Sequence, residues 1–310
     1  MRKILITPRS LTREFHPEFR RLQEAGFDLV FSTPGQQPDE RELAERLPGC
    51  VGYLAGVEPI TAGVLEQAAA LRVISRNGTG IDNIDIEACE RLNIMICRAE
   101  GANAQGVAEL TVGLLFAMAR SIAFSDRQMK SGKWIRSKGF ELGGKALGLV
   151  GCGHIGRKVA TMAACMGMAV KAYDPYPDPS FQPASSFSFA PLDEVLKTSD
   201  MVSLHCPSLR EGKPIIAHRE LSMMKQGAVL INTARAELVD EDALVQAIEN
   251  DHLGGYATDV FRSEPPGATP LLSHDRCLAT PHMGGYTKES VARATRAAVD
   301  NLLTHLKEND

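Results

Sequence analysis

The sequence predicts an α/β protein of two domains, each built on a parallel sheet, and three observations carry that reading. Short apolar runs alternate with amphipathic helical patterns over nearly the whole chain, as repeated βα units covered on both sheet faces require. In the middle, residues 145–174 read KALGLVGCGHIGRKVATMAACMGMAVKAYD: a strand, a glycine turn, a helix, a second strand and an acid. At the end, residues 288–307 carry Val291, Ala294, Ala298, Leu302 and Leu303 at helical spacing, an apolar stripe able to pack back on the first domain. That return makes the second domain an insertion, residues 100–284, into a first domain formed by 1–99 and 285–310.

The elements follow in order. Residues 3–7, 27–31, 51–55, 73–75 and 94–97 read as short strands, separated by helical patterns near 17–24, 39–46, 61–69 and 84–92. A long, largely apolar helix is expected from about 103 to 129. Its first half is apolar nearly all round and should be buried, by the core or by a subunit interface. The second series has strands expected at 146–150, 169–173, 201–205, 228–232, 255–258 and 277–279. Residues 175–191, rich in Pro and Ser, read as an exposed loop.

The glycine turn is the most specific feature. Gly151 permits a tight turn, Gly153 lets a pyrophosphate approach the backbone, and Gly156 lets the helix pack close to the strand. His154 and Ile155 open the helix, whose free N–H groups and dipole favour phosphate. Asp174 ends the second strand, 18 residues past Gly156, and suits the ribose hydroxyls of a dinucleotide. The acid argues for NAD over NADP, since a carboxylate repels a 2′-phosphate and no Arg follows it; the next residues are Pro175, Tyr176 and Pro177.

Composition excludes other classes. The net charge of −4 offers no basic footprint for nucleic acid. The first ten residues hold too short an apolar run for a signal peptide, and the stretch 107–119, interrupted by Glu109, is too short to span a bilayer, so no membrane role is expected. Seven cysteines without a CxxC suggest reduced thiols in a cytoplasmic protein, and no metal-ligand spacing occurs.

Three polar residues fall in loops after later strands, where an open parallel sheet holds its ligands. They are Arg235 in INTAR, Glu264 in DVFRSEPP and His282 in TPHMGG. Singly, each has a plainer reading: a surface partner of Glu237 or Asp240, a solvated loop carboxylate, a structural histidine. Together with Arg76-Asn77-Gly78-Thr79-Gly80-Ile81-Asp82-Asn83 and the glycine turn, in this order over nearly the full length, they give the chain another reading. It resembles the D-isomer-specific 2-hydroxyacid dehydrogenase family, in its phosphoglycerate dehydrogenase-like branch without a regulatory C-terminal domain.

The resemblance implies a Rossmann-type, doubly wound NAD domain inserted into a flavodoxin-like substrate domain. It implies a homodimer that interconverts a small D-2-hydroxy acid and its 2-keto acid, with phosphoglycerate, hydroxypyruvate and glyoxylate among the substrates. Residue chemistry agrees. His282 suits proton transfer with the C2 hydroxyl, Glu264 would orient its ring and favour imidazolium, and Arg235 offers a fork of donors to the substrate carboxylate and carbonyl. By resemblance, Asn77, Gly78 and Thr79 contact the substrate, and Arg76 reaches a second anionic group; the plain alternative is a tight βα turn. Cys206 and Pro207 line the adenine side. Thr233, Ala234, Arg235 and Asp259 approach the nicotinamide end, and His282, Gly284 and Gly285 close the site. Departures are Ala236-Glu237 where glycine is common, and Met283 and Gly285 in the histidine loop. Glu58, in a loop where a phosphate-binding enzyme would carry a base, is expected to repel a phosphate. An NAD(H)-sensing, co-repressor-like protein on the same fold is the alternative.

Overall fold

The computed structural model describes residues 2–208 and 212–307. Two compact units divide the chain: Met1–Asn103 with Thr287–Asp310, and Ala104–Tyr286.

The first unit alternates β1 (Arg2–Ile6), α1 (Phe19–Glu24), β2 (Phe27–Phe31), α2 (Glu40–Arg46), β3 (Cys50–Ala55), α3 (Ala62–Glu66), β4 (Val73–Arg76), α4 (Ile86–Arg91) and β5 (Met95–Arg98). Its five strands are parallel in the order β2-β1-β3-β4-β5, the flavodoxin-like arrangement. Side-chain caps start the helices where the sequence supplies them: Asp39 accepts from Glu42 N, Thr61 from Val64 N and Asp85 from Ala88 N. One sheet face buries Leu5, Tyr53 and Ile74 against Leu43, Leu47, Val64 and Leu65.

The second unit opens with α5 (Ala104–Ala119) and α6 (Ile122–Lys130). It continues through β6 (Ala146–Val150), α7 (His154–Cys165), β7 (Ala169–Tyr173), β8 (Phe187–Phe189), α8 (Leu192–Thr198) and β9 (Met201–Leu204). It ends with α9 (His218–Met223), β10 (Ala228–Asn232), a 3₁₀ turn at Ala236–Leu238, α10 (Glu241–Glu249), β11 (Leu253–Thr258), α11 (Pro270–Ser273) and β12 (Cys277–Ala279). The seven strands are parallel in the order β12-β11-β10-β9-β6-β7-β8. The chain starts at β6, winds outward to β8, then returns past β6 to β9 and winds the other way. The strand order therefore reverses between β6 and β9, where a doubly wound sheet leaves a crevice for its ligand. The chain re-enters the first unit as α12 (Lys288–Lys307), whose Ala298, Val299, Leu302 and Leu306 cover the second face of the first sheet with Ile4, Ile6, Leu54 and Val73.

Two sequence expectations are corrected. The long helix is broken: Ser121 adopts a left-handed φ of +50°, and α5 and α6 meet at a bend of 64°. A residue in that conformation ends the helical hydrogen-bond ladder, which periodicity alone does not reveal. The core buries Val107, Ala108, Thr111, Leu114 and Leu115 of α5 but leaves Phe116 exposed. Residues 175–191 are not all loop, because β8 adds an edge strand there. Its Phe187 is buried edge-on against Phe181 and Phe189, at centroid distances of 5.2 and 5.1 Å. Three residues, Phe187-Ser188-Phe189, are too few to establish a strand by alternation. Among the described residues no single helix is long and apolar enough to cross a membrane.

Leu302 is fully buried, and a Cβ added to Gly52 of β3 would lie 3.1 Å from its Cδ2. Leu302→Ala should lower stability by about 2–5 kcal/mol in denaturant titration, while the exposed Thr304→Ala should change it by less than about 0.5 kcal/mol.

Candidate active site

The site is built on the carboxyl ends of β10, β11 and β12, which are neighbours in the sheet. Asn232, the fully buried last residue of β10, shapes the turn that carries Arg235. Its Oδ1 accepts from Ala234 N at 3.0 Å and its Nδ2 donates to the Arg235 carbonyl at 2.8 Å. The Asn232 carbonyl also accepts from Asp259 N at 3.0 Å, which links this turn to the next strand end. Arg235 is half-buried, and its Nη1 donates to the Ala234 carbonyl at 2.7 Å. Thr233 and Ala234 are buried, and the Thr233 hydroxyl lies 3.0 Å from that of Thr111 on α5.

Asp259 follows β11 and is 2% exposed. Its Oδ1 accepts from Met283 N at 2.9 Å and from the Thr280 hydroxyl at 2.6 Å, and its Oδ2 accepts from Gly284 N at 2.8 Å. These bonds fasten the loop after β12 on both sides of His282, which sits in the left-handed region at φ +50°. A histidine held there is strained and persists only where its surroundings fix it. The ring projects to Glu264: Nδ1 lies 2.8 Å from both Oε1 and Oε2, and Oε1 also accepts from Phe261 N at 3.2 Å. Both side chains are partly exposed, open to a ligand at Nε2. Gly284 is buried and Gly285 half-buried.

At the reversal of strand order, the glycine turn fits a dinucleotide. Gly151 takes φ +98°, and a Cβ there would lie 2.6 Å from the His205 carbonyl carbon, so the turns after β6 and β9 touch. A Cβ at Gly156 would overlap the Gly151 carbonyl oxygen, whereas Gly153, the N-cap of α7, has open space beside it. No side chain caps that helix, and His154 is exposed, so the amides at its start remain accessible to a pyrophosphate. Asp174 is fixed at this turn: Oδ2 accepts from Cys152 N at 2.7 Å and Oδ1 from Tyr176 N at 2.9 Å. Each oxygen keeps a lone pair for a ribose hydroxyl. Cys206 is half-buried beside exposed Pro207. Burial pushes the thiols of Cys152 and Cys206 up to about 11, so neither is a nucleophile at neutral pH.

The end of β4 and the loop after it, in the first unit, hold Arg76, Asn77, Gly78 and Thr79 half-buried. Asn77 N donates to the Ala55 carbonyl at 2.9 Å, Arg76 Nη1 to the Asn77 carbonyl at 2.8 Å, and the Asn77 Oδ1 is a buried acceptor without a hydrogen-bond partner. Glu58 is placed otherwise than a loop acid would be. Its side chain is 1% exposed, and its Oε1 accepts from Tyr53 OH at 2.6 Å, from Gly56 N at 2.8 Å and from the Thr7 hydroxyl. A carboxylate turned into the fold organises the ends of β1 and β3 rather than meeting solvent.

Sequence reasoning missed Asn232 and Thr111, which position other residues of the site. The available signal was a polar residue ending or interrupting an apolar run, AVLIN in one case and VAELTVGLL in the other.

Residues 112–284 match the family model of the D-isomer-specific 2-hydroxyacid dehydrogenase NAD-binding domain. A hydroxypyruvate reductase of Thermotoga maritima is 38% identical over 252 residues, 80% of this chain and 81% of that protein. The chain belongs to the D-isomer-specific 2-hydroxyacid dehydrogenase family. NAD is the cofactor of the matched domain. A Thermus thermophilus protein of solved structure superposes with a TM-score of 0.88 at 34% identity, over 99% of this chain and 98% of that one. The human D-3-phosphoglycerate dehydrogenase is 36% identical over 275 residues, 88% of this chain but 51% of that enzyme. The chain thus spans about half the length of the curated phosphoglycerate dehydrogenases it matches.

One half-buried histidine sets a pH dependence. Desolvation pushes the His205 ring down to about 3; its Nε2 lies 2.9 Å from the Ser203 hydroxyl and its Nδ1 has no hydrogen-bond partner. The unfolded chain gains a proton there near pH 6.5 and the folded protein only near pH 3, so this contribution is full above pH 6.5 and falls as pH drops between those values. The slope from this one site is about 1.4 kcal/mol per pH unit. His205→Gln should flatten the pH dependence of unfolding free energy by that amount between about pH 6 and pH 4. An unchanged slope in denaturant titrations would show that the ring is not held neutral.

Proposed function

We propose that this protein is an NAD-dependent D-2-hydroxyacid dehydrogenase, interconverting a D-2-hydroxy acid and its 2-keto acid. The observation that carries the reading is the His282–Glu264 pair, at 2.8 Å, on an NAD-binding domain of this family. In this reading the Ala104–Tyr286 unit holds the cofactor and the Met1–Asn103 unit with its C-terminal helix recognises the substrate.

The chain's own groups divide the work. Glu264 occupies Nδ1 of His282, so Nε2 is the nitrogen presented to the C2 oxygen. It removes the hydroxyl proton in oxidation and returns it in reduction. The neighbouring carboxylate offsets the positive charge that the ring acquires. Arg235, on the turn that Asn232 shapes, offers donors to the substrate carboxylate and C2 oxygen. Arg76, Asn77, Gly78 and Thr79 take the rest of the substrate, and the open Asn77 Oδ1 suits a hydroxyl donor. Gly153 and the start of α7 hold the pyrophosphate, and Asp174 holds the adenosine ribose. Bound NAD supplies the hydride acceptor at its nicotinamide ring.

The substrate class is a small 2-hydroxy or 2-keto acid. Hydroxypyruvate, glyoxylate and phosphohydroxypyruvate share the reacting end that Arg235 and His282 would recognise. Seven unpaired thiols support a reducing, cytoplasmic setting. A homodimer is part of the proposal, supported by the exposed apolar side chains of Ile122, Met129, Trp134 and Ile135 beside the core-facing helix α5.

His282→Ala should lower turnover by about 10²–10⁴-fold while leaving NADH binding, followed by cofactor fluorescence, within about threefold. Turnover near that of the unaltered protein would contradict the assignment.

A further inference from the structure

The loop after Asp174 carries an ion pair that catalysis does not use. Arg157 lies on α7, one residue past Gly156, and its guanidinium has three neighbours. Nε donates to the Cys152 carbonyl at 3.1 Å, Nη1 lies 3.0 Å from Asp178 Oδ2, and the guanidinium carbon is 5.2 Å from the centroid of the Phe181 ring. Cys152 is the same residue whose amide donates to Asp174. One residue of the glycine turn therefore has the ribose-binding carboxylate on its N–H and a guanidinium on its C=O. Asp178 is itself fixed, since its Oδ1 accepts from Ser180 N at 3.0 Å and from the Ser180 hydroxyl at 2.6 Å.

This juxtaposition bears on cofactor choice. The residues directly after Asp174 contain no base, yet the fold brings one to the same turn from α7. A free guanidinium beside the ribose hydroxyls would be a good ligand for a 2′-phosphate, since it forms charge-assisted, often paired hydrogen bonds with phosphate oxygens. Asp178 occupies that guanidinium and adds a second negative charge to the group that meets at Cys152. With Asp174 and Asp178 ionised and Arg157 charged, the three groups sum to one negative charge; without Asp178 they sum to zero.

We propose that Arg157 and Asp178 form a second selectivity device for the adenosine end of the cofactor: Asp178 withholds Arg157 from a 2′-phosphate, so that NAD(H) is taken and NADP(H) refused. The proposal rests on the NAD reading of Asp174 given above. It makes Asp178 a specificity-determining residue that acts through Arg157, and it separates two contributions to discrimination, repulsion by Asp174 and sequestration by Asp178.

The test is direct titration of the protein with NADH and, separately, NADPH by calorimetry, which needs no substrate and no turnover. The quantity read is the ratio of the NADPH Kd to the NADH Kd. Asp178→Asn should lower that ratio about tenfold, the worth of one hydrogen bond to a charged group, with NADH affinity changed less than about threefold. In an Arg157→Ala background the same substitution should move the ratio by less than about threefold. If Asp178 only braced the loop, its loss would weaken both cofactors alike and leave the ratio unchanged, which would overturn the proposal. An equal drop in the ratio with and without Arg157 would also overturn it. Asp174→Ala serves as the separate check on the reading beneath: if that variant keeps the original ratio, or if the unaltered protein binds neither cofactor, the NAD assignment of Asp174 fails first.

Discussion

Two backbone amides and one hydroxyl converge on the buried Asp259 carboxylate, and they fasten the loop that carries His282. Asp259 follows β11, and the groups it binds lie after β12, so this side chain ties the histidine loop to the neighbouring strand end. The same residue donates its own amide to the Asn232 carbonyl, and Asn232 shapes the Arg235 turn. The Arg235 turn, the His282 loop and Glu264 thus belong to one hydrogen-bonded assembly at three adjacent strand ends. A buried carboxylate is costly unless its acceptor capacity is met. Here three donors meet it, and that requirement keeps His282 in a left-handed conformation that it would not hold alone.

The arrangement also separates rigid from adaptable parts. Asn232, Asp259 and Thr233 are buried among the ends of β10 and β11, whereas the His282 ring and the Glu264 carboxylate reach solvent. The groups that fix the loops lie away from water, and the two side chains proposed to exchange the proton are the exposed ones. The glycine turn follows the same logic with backbone in place of side chains. Gly151 has no room for a Cβ because the turn after β9 presses on it, Gly156 has none because α7 starts against the Gly151 carbonyl, and Gly153 has open space beside it.

Much of this was legible in the sequence because the relevant signals are local. Strands such as 146–150 and 228–232 are largely apolar runs bounded by turns, as doubly covered parallel strands are, and these and 169–173 lie where the sequence places them. The final helix was readable from its stripe, which buries Ala298 and Leu302. What sequence could not show is what depends on tertiary partners. The break at Ser121 is a backbone conformation within an apolar run, and β8 is an edge strand of three residues. Glu58 reads as a loop acid, yet it turns inward because Tyr53, Thr7 and the Gly56 amide converge on it. The pairing of Arg157 with Asp178 joins residues 21 positions apart, and no spacing rule announces it.

The most direct test of the central claim is the loss of NADH absorbance when the purified protein is mixed with glyoxylate, hydroxypyruvate, phosphohydroxypyruvate and bulkier 2-keto acids in turn. The account predicts stoichiometric oxidation of NADH with at least one of them and formation of the D-2-hydroxy acid, with NADPH a poor substitute. Tight binding of NADH without turnover of any 2-keto acid would contradict it.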